Sequence, residues 1–273
     1  MAKWLLFTAY DSGFSSIAAQ TVPTMQKFAK KFNLEFFEYV DLKIGLPPAW
    51  AKILLAKQKL DDGYEGIIWV DADAIIRRFD EDIRDHLRSG KDLYFVKEDQ
   101  PIPGTPSKAR LNTGVFMLRN SDVSRAFLQK CIEIGDRPEH EWWDQSAAIS
   151  AFGFHSMFHT PETHKPDEPT EFSDSLYWLP KRWNVLIGSD IECDGIIHHY
   201  FGAGIESKLL RMHLDRVFDE LSPRNLAVEK VFNEVAKVNM IWRRNVDGKM
   251  LDIDELHAAY TILKKRPWYK RLF

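Results

Sequence analysis

Ile67-Ile68-Trp69-Val70-Asp71-Ala72-Asp73 is the stretch on which the reading of this chain turns. Four consecutive apolar residues suit a strand buried on both faces, the kind found in parallel sheets covered by helices. The apolar run stops at Asp71, because an ionised carboxylate is not left unpaired inside a core. Open α/β sheets bind ligands in the crevice beyond the carboxyl ends of their strands, which is where Asp71 and Asp73 fall. Carboxylate oxygens there suit a hard divalent ion, Mg²⁺ or Mn²⁺, that bridges to substrate phosphates. The Asp-x-Asp pattern alone is weak, since Asp80-Glu81-Asp82 and Asp252-Ile253-Asp254 match it too. Those two stand at expected helix starts, where acids favour the positive end of the helix dipole. For Asp71 and Asp73, context alone leaves a metal pair and an ordinary strand-end turn equally open.

The flanking segments alternate strand and helix signals. Trp4-Leu5-Leu6-Phe7-Thr8 reads as a buried first strand. Val22, Met25, Phe28, Ala29 and Phe32 then recur at helical spacing, with Pro23 expected in an early turn. A strand over 34–40 and a helix over 50–60, stopped near Asp61-Asp62-Gly63, precede the central stretch. Strands over 93–96 and 115–118, a helical stripe of Val123, Ala126, Phe127 and Cys131, and a helix opening at Asp144 come after it. A short strand is expected at Gly195-Ile196-Ile197. This βαβα order predicts an α/β fold with a largely parallel sheet covered by helices on both faces. Residues 159–181 dissolve into prolines, acids and aromatics, a loop long enough to carry function, with Tyr177, Trp178 and Trp183 as rings that could stack on a sugar. From Glu206 to Lys265 the chain reads as mostly helical, so a domain over 1–205 and a helical C-terminal extension over 206–273 are expected.

Composition narrows the classes. The 273 residues are 45% hydrophobic and 28% charged, which suits a folded globular chain and excludes disordered, collagen-like and disulfide-scaffold proteins. With 37 basic against 40 acidic side chains the net charge is −3, which disfavours wholesale nucleic-acid binding. Cys131 and Cys193 are too few for a disulfide framework and read as small buried hydrophobes. The apolar start meets Asp11 too early for a signal peptide or anchor, and no later run approaches about 18 apolar residues. A cytoplasmic protein is the expectation. The tail from Lys264 to Phe273 has five basic residues beside Trp268, Tyr269, Leu272 and Phe273. Such a tail predicts peripheral contact with the inner face of a membrane and a lipid-linked acceptor, although a solvated helix end has the same composition.

Three further segments carry polar groups next to apolar ones. Leu111-Asn112-Thr113-Gly114 stands just before an expected strand, and Trp142-Trp143-Asp144-Gln145-Ser146-Ala147 at a helix start. Ile196-Ile197-His198-His199-Tyr200-Phe201-Gly202 puts two histidines straight after a strand. In this order, with the Asp-x-Asp strand first, they resemble the GT-A-fold retaining glycosyltransferases. The likeness is to the galactosyltransferase and xyloglucan xylosyltransferase group, and more distantly to glycogenin and bacterial lipooligosaccharide galactosyltransferases. It spans about Trp4 to Gly202. The resemblance implies a Rossmann-like GT-A fold with a mixed sheet, a nucleotide-sugar donor that is usually a UDP-sugar, a Mn²⁺ or Mg²⁺ ion, and a carbohydrate or lipid-linked acceptor. Transfer would proceed with retention at the anomeric carbon.

The resemblance also implies roles. Thr8, Ala9 and Tyr10 match the strand end that holds the base, and Lys52 in Ala49-Trp50-Ala51-Lys52 matches the family's helix lysine. Asp71 would meet ribose and metal, and Asp73 and His199 the metal. Asn112 and Thr113 match the donor-sugar wall, while Asp144 and Gln145 match the pair against the transferred sugar. His199, rather than His198, precedes Gly202 at the family's spacing. The family's lysine-proline-tryptophan triplet is absent after Gly202, and Lys208 is the next lysine that could meet the diphosphate. Whether Asp144 is a nucleophile or a stabiliser stays open.

Three rivals have weaker support. A nucleotidyltransferase would need a glycine-rich, basic loop after the first strand, and Asp11-Ser12-Gly13-Phe14-Ser15-Ser16 has one glycine and no base. A non-catalytic nucleotide-sugar-binding module would have little reason to keep Asp71, Asp73, Asp144 and His199 together. A zinc site at His155, His159 and His164 lacks a helix to hold it.

Overall fold

A computed structural model describes residues 3–98, 110–136, 142–154, 168–186, 195–202 and 204–221. The basic tail, Asp252 and Asp254, Cys193, the three loop histidines and residues 159–167 lie outside them. The chain divides into two compact units, Met1–Leu209 and Leu210–Phe273, and every site residue below belongs to the first. No helix among the described residues is long and apolar enough to cross a membrane.

In chain order the elements are β1 (Trp4–Tyr10), α1 (Ser15–Lys31), β2 (Glu35–Val40), α2 (Ala51–Asp61), β3 (Gly66–Val70) and β4 (Ala74–Ile76). They continue with β5 (Leu93–Glu98), β6 (Arg110–Arg119), α3 (Asp122–Ile134), α4 (Trp143–Ala151), β7 (Leu176–Leu179), β8 (Val185–Leu186), β9 (Ile197–His199) and α5 (Ile205–Leu221). Six strands form one sheet in the order β2-β1-β3-β6-β5-β7. Only β6 runs against its neighbours; the β1–β2, β1–β3 and β5–β7 pairs are parallel. This is the mixed, mostly parallel GT-A sheet the sequence led us to expect. A second sheet, β4-β9-β8, stands beyond the carboxyl end of β3.

Strand alternation divides the core into two layers. Leu5, Phe7, Ile67, Trp69, Phe95 and Phe116 pack towards α2, α3 and α4, against Leu55, Phe127 and Ala148. Leu6, Ile68, Val70, Tyr94 and Met117 point the other way, against Met25, Phe28 and Ala29 of α1. Burying both faces is why these strands read as unbroken apolar runs.

Three expectations need correction. Pro23 lies in the middle of α1, not in an early turn. The helix survives because residues 19 and 23 both face solvent, where water can satisfy the carbonyl that proline leaves without its donor. Asn112, Thr113 and Gly114 lie inside β6 rather than before it, at a register shift where Phe95 pairs with Phe116 but Val96 with Asn112. Such a bulge re-aims side chains. The short strand expected at 195–197 begins instead at Ile197 and includes both histidines, because β4 supplies the pairing partner.

Candidate active site

The turn that follows β3 is held from three sides. The Asp71 N–H donates to the Gly114 carbonyl (2.8 Å), the Tyr200 N–H to the Asp73 carbonyl (2.9 Å), and the Ala74 N–H closes the turn on the Asp71 carbonyl (2.9 Å). The Thr21 hydroxyl of α1 donates to the Ala72 carbonyl (2.7 Å). Directly beyond this turn, β4 pairs with β9 so that Ala74 lies opposite His199. That register brings an imidazole from late in the chain beside Asp73.

Asp71 Oδ2, Asp73 Oδ1 and His199 Nε2 face one another, the nitrogen 3.5 Å from Asp71 and 3.3 Å from Asp73. The other oxygen of each carboxylate is taken. Asp71 Oδ1 accepts from the Trp69 indole N–H (2.6 Å) and the Lys52 ammonium (2.8 Å). Asp73 Oδ2 pairs with Lys208 of α5, whose ammonium also lies 5.2 Å from the Phe14 ring centroid. Two hard oxygens and one imidazole nitrogen, with ligand atoms within 4.8 Å of one another, fit a Mg²⁺ or Mn²⁺ ion in chemistry and in reach. His198 points elsewhere, its ring 2.9 Å from an Arg77 guanidinium nitrogen.

Lys52 connects this cluster to Asp144. Its ammonium lies 3.4 Å from Asp144 Oδ2 and donates to the Thr113 carbonyl at 3.4 Å. The Thr113 hydroxyl donates to the same Asp144 oxygen (2.8 Å), and the Thr113 N–H to Gln145 Oε1 (3.2 Å). Asp144 therefore keeps Oδ1 without a partner among the described residues. Burial pushes its carboxyl up to about 6, against the pull of Lys52. Burial would also raise Asp73, but His199 and Lys208 override it and hold that carboxyl well below the usual range. For Lys52, burial opposes the charge, and Asp144 and Asp71 together raise its pKa above the ordinary range. The arrangement can bind a cation, hold a diphosphate with lysine, and face a developing positive charge with one carboxylate.

Asp71, Asp73, His199, Lys52, Asn112, Thr113, Asp144, Gln145 and Lys208 thus meet in one place. Thr113 and Asn112 are turned inward rather than out: Asn112 Oδ1 accepts from the Gly114 N–H (2.8 Å) and from Asn184 Nδ2 (2.7 Å). Thr8 is fully buried, with a hydroxyl that finds no partner among the described residues. Ala9 and Tyr10 are half-buried, and the Tyr10 hydroxyl donates to Glu38 (3.0 Å). Gly202 is exposed at φ +69°, a conformation that favours glycine. Trp183 is wholly buried, its indole N–H donating to His86 (2.9 Å), so it cannot stack on a sugar. Tyr177 and Trp178 pack against Tyr94 and Phe154. Among the described residues the most exposed indole is that of Trp143, next to Asp144, at 49% exposure and φ +42°.

Sequence reasoning missed Asn184, which is buried and accepts from His199 Nδ1 at 3.1 Å. Nothing in its local pattern sets it apart. Gly114 becomes telling once β6 is seen to include it, since a glycine inside a strand marks a close approach. A Cβ there would meet His199 Cε1 at 2.2 Å. Gly114→Ala is expected to displace the imidazole and cost about 1–3 kcal/mol of stability, read as a lower thermal midpoint.

No family model matches the chain. Over 107 residues it is 33% identical to "Probable glycosyltransferase 7" of Oryza sativa subsp. indica, covering 37% of this chain and 24% of that protein. "Probable glycosyltransferase 6" of the same rice is 27% identical over 133 residues, covering 48% and 25%. The matched segments span about a quarter of the length of these curated relatives. Among solved structures, a glycosyltransferase involved in glycosylation of the major capsid of PBCV-1 superposes at a TM-score of 0.55 and 12% identity, over 78% of this chain and 99% of that one. The bifunctional enzyme WbbM in its apo form superposes at 0.51 and 10%, over 77% and 49%. The fold is that of these glycosyltransferases.

Proposed function

We propose that this chain is a metal-dependent glycosyltransferase that moves a sugar from a UDP-sugar to a carbohydrate hydroxyl, with retention at the anomeric carbon. The observation that carries the reading is the joint geometry at the end of β3. Asp71 Oδ2, Asp73 Oδ1 and His199 Nε2 converge, while Lys52 ties Asp71 to Asp144 (2.8 and 3.4 Å). A divalent ion held by Asp71, Asp73 and His199 would supply Lewis-acid stabilisation of charge on a departing diphosphate. Lys208 offers that diphosphate an ammonium. Thr113 and Lys52 hold Asp144 by one oxygen, which leaves the other to stabilise the electron-poor sugar in a site already organised for it. The exposed indole of Trp143 offers a flat apolar face for an acceptor ring beside that carboxylate. Retention and the uridine base rest on the resemblance, with Thr8, Ala9 and Tyr10 at the end of β1 as the base-binding segment.

Diphosphate release from a panel of UDP-sugars, with Mn²⁺ and with EDTA, tests the reading, and NMR of the product anomer tests retention. Hydrolysis or transfer unaffected by EDTA would sink the metal-dependent form. His199→Ala is expected to weaken Mn²⁺-dependent UDP binding by roughly 10-fold or more, while His198→Ala lowers stability and leaves that affinity near wild type. Calorimetric titration of UDP with and without Mn²⁺ checks both.

A further inference from the structure

We propose that Asn184 is a positioning residue that sets the tautomer of His199 and so makes Nε2 the ligand atom; this rests on the cation-site reading above. The assignment begins at a donor whose direction is fixed, the backbone N–H of Gly114. It donates to Asn112 Oδ1 at 2.8 Å, so the oxygen of that amide, not its nitrogen, must point inward. The neighbouring atom of Asn184, 2.7 Å from the same oxygen, is then the amide nitrogen, because two oxygens at that distance would repel. The Asn184 oxygen consequently faces His199 Nδ1 at 3.1 Å, and the only favourable contact there is an Nδ1–H donor. With the Nδ1 proton fixed, a neutral ring carries its lone pair on Nε2, between Asp71 Oδ2 and Asp73 Oδ1. A lone pair facing two carboxylate oxygens is repulsive unless a metal ion or a proton lies between them.

The chain of contacts is buried throughout: Asn112, Asn184 and His199 are all shielded from water. Water cannot substitute for a missing member, so the orientation passes from backbone to ring without loss. Gly114 has two parts in it. Its N–H starts the chain, and its missing Cβ lets the His199 ring lie against the bulge, where a methyl group would meet Nδ1 at 2.4 Å. Metal-bound histidines are oriented by the partner of their other nitrogen, and loss of that partner costs roughly 10- to 100-fold in affinity.

The test combines ¹⁵N NMR of the His199 ring, at a pH where it is neutral, with Mn²⁺ titration followed by EPR. Wild type should show the Nδ1–H tautomer. Asn184→Leu should mix the tautomers and weaken Mn²⁺ binding by roughly 10- to 100-fold. Asn184→Asp keeps an acceptor for Nδ1–H but sets its other oxygen against Asn112 Oδ1, so it should keep the tautomer, lose some stability and still bind Mn²⁺ better than Asn184→Leu. A wild-type ring protonated at Nε2, or an Asn184→Leu variant with unchanged tautomer and affinity, would overturn the proposal. If Asn184→Leu fails to fold, the ring tautomers of wild type and of Asn184→Asp still decide it. Wild type with the Nδ1–H tautomer but no Mn²⁺ binding would uphold the hydrogen-bond assignment and reject the cation-site reading instead.

Discussion

Asp73→Asn is expected to abolish metal-dependent turnover and also to destabilise the fold. In the proposed site the carboxylate would supply one of three ligand atoms, and it is at the same time the partner of Lys208 and His199. Removing one member of a buried ion pair leaves the other charge uncompensated, at a cost of about 3–5 kcal/mol. Loss of activity in the single variant would therefore mix two effects. The double variant Asp73→Asn with Lys208→Met removes both charges and so restores the balance in the fold, and Lys208→Met alone controls for the ammonium the diphosphate would lose. We expect the double variant to recover most of the lost thermal midpoint and none of the Mn²⁺-dependent UDP release. Recovery of activity along with stability would show that Asp73 serves the fold alone.

Asp144→Asn should have the opposite profile, with activity lost and stability kept or gained. Burial raises this carboxyl to about 6, so its charged form is disfavoured in the folded chain. A carboxyl raised on folding binds its proton more tightly in the native state, so its contribution to stability declines as pH rises from about 4 to about 6. At 1.4 kcal/mol per pH unit the disfavoured charge amounts to roughly 3 kcal/mol above that window. Asparagine removes the charge and can still accept from Thr113, so denaturant unfolding at pH 7.5 should show Asp144→Asn at least as stable as wild type. Turnover should fall on the order of 10²- to 10³-fold, the scale of losing one preorganised electrostatic partner of a transition state. The effect should lie in kcat, with donor affinity little changed. In wild type, turnover should decline below about pH 6 as Asp144 takes up its proton. A stable, fully active Asp144→Asn enzyme would remove the residue from the chemistry.

The strand that carries Asp71 was legible because burial on two faces forces an unbroken apolar run, and a carboxylate ends it. The helix start at Asp144 and the strand near His199 were legible for similar local reasons. Lys52 was marked only by the resemblance, because its contacts with Asp71 and Thr113 depend on where α2 packs against the sheet. The aromatic residues were ranked differently by the structure. Trp183 is wholly buried while Trp143 is half exposed, and no local pattern separates two tryptophans by burial. The bulge in β6 was expected to stand before the strand rather than within it, since a glycine beside asparagine and threonine suits a turn as well as a bulge.

By itself the sequence determined which residues could form strands and helices, the alternation that makes a covered sheet, and the carboxylates at one strand end. Those are consequences of period, propensity and the cost of burying charge, all of which act over a few neighbouring residues. Only the tertiary structure decided that β4 pairs with β9 so that His199 arrives at Asp73, and that Lys208 reaches the same carboxylate. It also decided that Asn184 stands between Asn112 and His199. The physical reason is range: a hydrogen bond is won or lost over a few tenths of an ångström, and these partners are separated along the chain by 15 residues for Asn184 and His199, 72 for Asn184 and Asn112, and 135 for Lys208 and Asp73.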